Sequence, residues 1–161
     1  MKKVINNLVF LRQWKFFILG TLLAILFFLL INILISIFSN ELKDLPFLKD
    51  KSIFFIFFLT VIFAPIFETF FFQKIIIDFL KEKLDFFKPI FISSFIFALF
   101  HIYSVTYFIA TFFLGLIFGF FYAIANLRKD ISPFFFVVYL HALLNFISFI
   151  LNDILKFSYC Q

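Results

Sequence analysis

Cysteine, glycine and charge are all scarce in this sequence, and each scarcity excludes something. A single cysteine, Cys160, stands beside the last residue. That excludes a disulfide framework and a cysteine-based zinc knuckle, and it is too near the end to open a prenylation box. Three glycines leave no glycine-rich phosphate loop. No basic stretch is interleaved with aromatics, so nucleic acid is not an expected partner. Charged side chains make up 14% of the 161 residues, where soluble domains carry about 25%. With a mean hydropathy of +1.18, the chain is neither an ordinary soluble domain nor a disordered one, which needs low hydrophobicity.

What is there is membrane. A spanning helix needs about 20 mostly apolar residues. Phe16 to Phe38 gives 23 residues without a charge, and Ile53 to Phe72 gives 20 with one, Glu68. Pro89 to Leu127 gives 39 without a formal charge, too long for one crossing, so it must fold back, with Ser104-Val105-Thr106 as the expected reversal. Ile131 to Asn152 adds 22. The expected fold is all-α, a polytopic bundle of about five spans at residues 14–38, 53–77, 88–104, 107–127 and 131–153. Residues 1–45 form an N-terminal tail and first span, and 46–161 a four-span core. The first apolar run is too long for a cleaved signal and no small-residue cleavage site follows it. Trp14, Tyr103, Tyr107, Tyr122 and Tyr159 fall near span ends, where amphipathic rings prefer the interface. Segment 73–88 reads as a partly amphipathic continuation of the second span near the headgroups.

Ten of the 14 Lys and Arg residues fall in the N-terminal tail, the second loop and the fourth loop, against four on the other side. The positive-inside rule then places the N-terminus in the cytoplasm of a multi-pass protein in the cell membrane. The net charge of +5 is that topology signal.

Against so apolar a background the polar residues are informative, because ionisable groups inside spans are costly and usually functional. Glu68, His101 and His141 are the ionisable groups expected deep in spans. Asn145 lies one turn after His141 on the same face, and Phe97 stands likewise before His101. Glu68 follows Ala64-Pro65, and a proline inside a helix frees a backbone carbonyl and permits a kink. Taken singly, a buried His or Asn is as well read as a helix–helix hydrogen bonder. Convergence of a carboxylate, two imidazoles and an amide from three spans favours a site. Gly115 and Gly119 form a GxxxG, read as close helix packing, and Asn32 and Asn126 read as structural or interfacial.

This ordered pattern resembles the CPBP (Abi) family of intramembrane proteases, which includes CAAX prenyl endopeptidases and bacteriocin-processing proteins. Glu68, Thr69 and Gln73 in APIFETFFFQ resemble its first motif, two glutamates followed after three residues by arginine. FALFH, from Phe97 to His101, resembles Phe-x-x-x-His, and HALLN, from His141 to Asn145, resembles His-x-x-x-Asn. The departures are Thr69 and Gln73, where both charges of a pair with the i, i+4 spacing of an ion pair are replaced together. They are expected to share a neutral hydrogen bond instead.

The resemblance implies a peptidase acting on a membrane-associated peptide or protein, lipidated or leader-bearing, in the lipid bilayer. It implies that Glu68 and His101 hold and deprotonate a water, while His141 and Asn145 face the oxyanion. Thr69, Gln73 and Phe97 support them. The alternative is a divalent metal, such as zinc, on Glu68, His101 and His141, since two His and a carboxylate with an open position suit catalytic zinc. An obligatory metal is disfavoured, because Glu68 as a ligand would leave no separate base. A different class stays open: a non-catalytic membrane protein of the same fold, concerned with bacteriocin immunity or transport.

Overall fold

The structure, a computed structural model, describes residues 2–38 and 51–154. Tyr159 and Cys160, and the charges Lys43, Lys49 and Lys156, lie outside those residues. Among the described residues there is no strand, and the helices are α1 (Lys2–Val9), α2 (Gln13–Phe38), α3 (Ile53–Leu80, interrupted by π turns), α4 (Phe87–Leu99), α5 (Val105–Leu127) and α6 (Pro133–Ile154, ending in a π turn). Four of these, α2, α3, α5 and α6, are long and apolar enough to cross a membrane. The protein is an all-α polytopic bundle.

The third expected span is the exception. Helix α4 stops at Leu99, five residues before the expected end, and its 13 residues rise only about 20 Å, short of a hydrocarbon core of about 30 Å. The reason is local. The His101 N–H turns back to Ala98 O at 2.9 Å, and the carbonyl it would have reached in a continuing helix, that of Phe97, bonds the His101 ring instead. The chain reverses through 100–104, and the Ser104 hydroxyl caps α5 by accepting from Tyr107 N. The reversal therefore sits one turn earlier than expected, and His101 occupies it.

Helix α5 is the central pillar, packed on α4, α6, α2 and α1. Its GxxxG permits this. A Cβ on Gly115 would lie 3.0 Å from the Ser94 backbone and 3.1 Å from the Phe97 ring, and one on Gly119 would lie 3.1 Å from Ile90. Close backbone approach of this kind is how helices associate in lipid, where apolar burial alone gives little drive. Phe16, Phe121 and Phe136 pack at 5.0–5.9 Å between centroids where α2, α5 and α6 meet. Gly20 lets the Phe136 ring dock there, since a Cβ would meet it at 2.7 Å.

Two polar clusters tie the ends. Tyr122, expected at the interface, is buried. Its hydroxyl donates to Asp78 at 2.9 Å, beside Asn126, Lys74 and Lys81 on the same carboxylate. Segment 73–88 is thus divided between the end of α3, a turn and the start of α4. Arg128, counted with the topology charges, is also buried. Its guanidinium donates to Leu8, Val9 and Leu11 carbonyls at 2.7–3.0 Å, pairs with Asp130 at 2.8 Å and lies over the Phe16 ring. It satisfies the carbonyls that α1 leaves unpaired at its C-terminus.

Helix α3 is regular nowhere for long. Five-residue α segments, Ala64–Glu68 among them, alternate with π turns at Phe58–Phe63 and Thr69–Ile75. On its outer side Phe63, Phe67 and Phe71 stack in sequence, centroids 4.1 and 6.3 Å apart.

Candidate active site

Glu68 ends the α segment between the two π turns, and π turns inside helices concentrate at functional sites. Its carboxylate meets both imidazoles: His101 Nε2 is 3.8 Å from Oε1, and His141 Nε2 is 3.5 Å from Oε2. The three side chains expected to converge are together. Glu68 retains 24% exposure and His101 14%, while His141 keeps 5%.

The two rings are held differently. The His101 Nδ1 lies 2.8 Å from Phe97 O, and a carbonyl only accepts, so Nδ1 carries the hydrogen. In the neutral ring Nε2 then presents a lone pair towards Glu68. The His141 ring lies against Phe118, 4.7 Å between centroids, with its Nδ1 buried and unpartnered. The Phe97 ring lies near both imidazoles, 4.5 and 6.0 Å between centroids.

Asn145 is engaged elsewhere: its Nδ2 donates to Thr60 O at 2.8 Å. Thr69 and Gln73 are fully buried, and Thr69 Oγ1 and both Gln73 amide atoms have no partner. The expected hydrogen bond between them is therefore absent. Both lie in the π turn Thr69–Ile75, where residues four apart no longer stack as they do in an α-helix.

Sequence reading missed three contributors. Tyr103 and Tyr107, read as interfacial, place their rings 6.5 and 6.1 Å from His101. Their spacing from His101 across a reversal was the available signal. Ser93, which has no catalytic partner, donates to Phe72 O at 2.7 Å, inside the second π turn. Nothing in the sequence marks that role.

Among the described residues no three His, Cys, Asp or Glu side chains are placed to hold one metal ion. The imidazoles face different oxygens of Glu68 rather than one shared point. An apolar groove of about 350 Å³ between α2 and α5, lined by Leu26, Phe27, Leu30, Phe113 and Ile117 among others, shares no residue with the site.

No curated protein and no solved structure matches the chain. The family model for Rce1-like type II CAAX prenyl endopeptidases matches residues 50–147, a stretch that contains Glu68, Phe97, His101, His141 and Asn145. With a broken membrane helix carrying a carboxylate between two imidazoles, and with that match over more than half its length, the chain belongs to the Rce1-like family of type II CAAX prenyl endopeptidases.

Proposed function

We propose that this protein is an intramembrane endopeptidase that hydrolyses a peptide bond near the C-terminus of a lipid-bearing, membrane-associated substrate, using water activated by Glu68 and His101. The observation that carries this reading is the Glu68 carboxylate faced by both imidazoles. A water beside Oε1 and His101 Nε2 gives up a proton to this pair as its oxygen adds to the scissile carbonyl. The resulting oxyanion is stabilised by His141 through Nε2–H, a donor held in a dry, aromatic setting where such bonds are strongest. As the C–N bond breaks, the proton returns to the leaving nitrogen, giving a carboxylic acid and an amine. No step is routed through a metal ion.

The apolar helices around the site support a membrane-associated substrate, since Glu68 and His101 lie beside a short helix and the 100–104 turn. Such irregular backbone is tolerated where protein or water covers it. In the cell membrane the N-terminus lies in the cytoplasm, on the ten-to-four excess of Lys and Arg. Cysteine labelling at positions 40 and 130 should report opposite sides, with position 40 external.

The test is cleavage of a farnesylated, quenched-fluorescence peptide with a C-terminal CAAX sequence by purified protein in detergent. Wild type should cleave it, and Glu68→Gln should not. Undiminished cleavage by Glu68→Gln would overturn Glu68 as the activating group, and no cleavage by wild type would leave the non-catalytic alternative standing.

A further inference from the structure

The first π turn of α3 leaves one backbone acceptor without a partner, and the bookkeeping identifies it. The Ala64 N–H, which an α-helix would send to Thr60 O, goes to Leu59 O. In a π turn the next N–H, that of residue 65, would serve Thr60, but residue 65 is Pro65, which has none. Thr60 O is therefore orphaned by both registers, and an unpaired carbonyl inside a membrane protein is costly. The side chain that takes it is Asn145 Nδ2, at 2.8 Å, from α6. At the second π turn a side chain from a neighbouring helix again takes a backbone carbonyl of α3. The Ile76 N–H goes to Gln73 O rather than to Phe72 O, and Phe72 O accepts from the Ser93 hydroxyl of α4 at 2.7 Å.

These clamps bear on Glu68 because a π turn takes one more residue than an α turn. It rotates everything beyond it by about 100° relative to an unbroken helix. The segment Ala64–Glu68, set between the two turns, faces the imidazoles only while the first turn persists. We propose that Asn145 is a positioning residue: by clamping the Thr60 carbonyl that Pro65 sets free, it fixes the rotation of Ala64–Glu68 and aims the Glu68 carboxylate between His101 and His141. Asn145 acts on Glu68 through the backbone of α3, and one amide N–H on Thr60 O leaves its second N–H for another acceptor. This rests on the reading of Glu68 as the water-activating group.

The test is to restore the missing donor. Pro65→Ala supplies an N–H that in the π register points at Thr60 O, so it replaces the clamp only if the clamp is what Asn145 provides. Activity is read with the farnesylated CAAX peptide as kcat per folded molecule, alongside KM. The reactivity of Glu68 towards dicyclohexylcarbodiimide, followed by mass spectrometry, gives a second readout independent of turnover.

Asn145→Ala should lower kcat about 10–100-fold, the scale of a misplaced catalytic group, with KM little changed, and should change the Glu68 labelling rate. The double variant Pro65→Ala/Asn145→Ala should regain at least about fivefold of that kcat and return the labelling rate towards wild type. Equal kcat and equal labelling in Asn145→Ala and the double variant would overturn the proposal, and Asn145 would then be a direct contact to the oxyanion. If Asn145→Ala does not accumulate, Asn145→Leu, of closer shape, carries the same comparison. Glu68→Gln separates the two levels: if it cleaves like wild type, the reading of Glu68 fails, whereas an inactive Glu68→Gln with no recovery in the double variant sinks the clamp alone. If wild type leaves the peptide intact, the substrate reading fails and the labelling cycle still decides the clamp.

Discussion

Helices α3 and α5 are both long and strongly apolar, yet they are built in opposite ways. Helix α5 runs unbroken from Val105 to Leu127 with glycines on its α4 face and is the most buried of the spans. Helix α3 changes register twice within 28 residues, carries Glu68 and Pro65, and keeps much of its surface exposed. Glycine lets backbones approach, while proline and π turns release carbonyls that neighbouring side chains must take up. The two helices divide the work: one holds the bundle together, and the other presents a costly carboxylate to it.

The comparison breaks most sharply at Glu68. Glu68→Gln keeps the shape of the side chain and removes the proposed base, so kcat on the farnesylated peptide should fall about 10²–10⁴-fold, with thermal stability in detergent essentially retained. Next comes the pillar. Gly115→Ala puts a Cβ 3.0 Å from the Ser94 backbone, and overpacking of this kind costs about 1–3 kcal/mol, which a lowered Tm should report. On α3 the opposite outcome is expected. Gln73 is fully buried with neither amide atom partnered. Gln73→Leu should therefore hold or raise Tm, since removing an unsatisfied buried polar group is neutral or favourable by up to about 1–3 kcal/mol.

A smaller effect attaches to the loop after α5. Hydrogen bonds from Arg128 hold the exposed Asp130 carboxyl below its ordinary value. A depressed carboxyl contributes stability above its unfolded pKa, near pH 4, that is lost as pH falls through the lower folded value. Wild type should thus hold a slightly higher Tm than Asp130→Asn at neutral pH, and the difference should vanish as pH falls through the lower folded value. Smallest of all should be the effect of a chelator: peptide cleavage should persist in 1,10-phenanthroline, at about the untreated rate if Glu68 and His101 act without a metal.

The residues that were legible in the sequence were those that stand out against lipid. Glu68, His101 and His141 are ionisable groups in apolar runs, and the structure brings them together. Gly115 and Gly119 signalled the α4–α5 contact for the same reason. What the sequence did not disclose was backbone register. A π turn has no composition of its own, and IFFIFFLTVIF and TFFFQKI read as ordinary apolar helix. The displaced partners of Thr60 and Phe72 were therefore invisible, and so was the separation of Thr69 from Gln73. Burial of charge was equally hidden. Arg128 counts the same whether it faces headgroups or the open end of α1, and Tyr122 looked interfacial because its acceptor, Asp78, is 44 residues away in the chain.

The stacked rings of Phe63, Phe67 and Phe71 give the broken helix a property its hydrogen bonding lacks. They run along the outer face across the α segment that carries Glu68, from the end of one π turn into the next. Stacked aromatic pairs add about 0.5–1.5 kcal/mol each beyond their area. They therefore act as an external splint: the helix can be loosened on the side that faces the imidazoles without folding at the break. Whatever compliance α3 has is directed towards the imidazoles and withheld from its outer face.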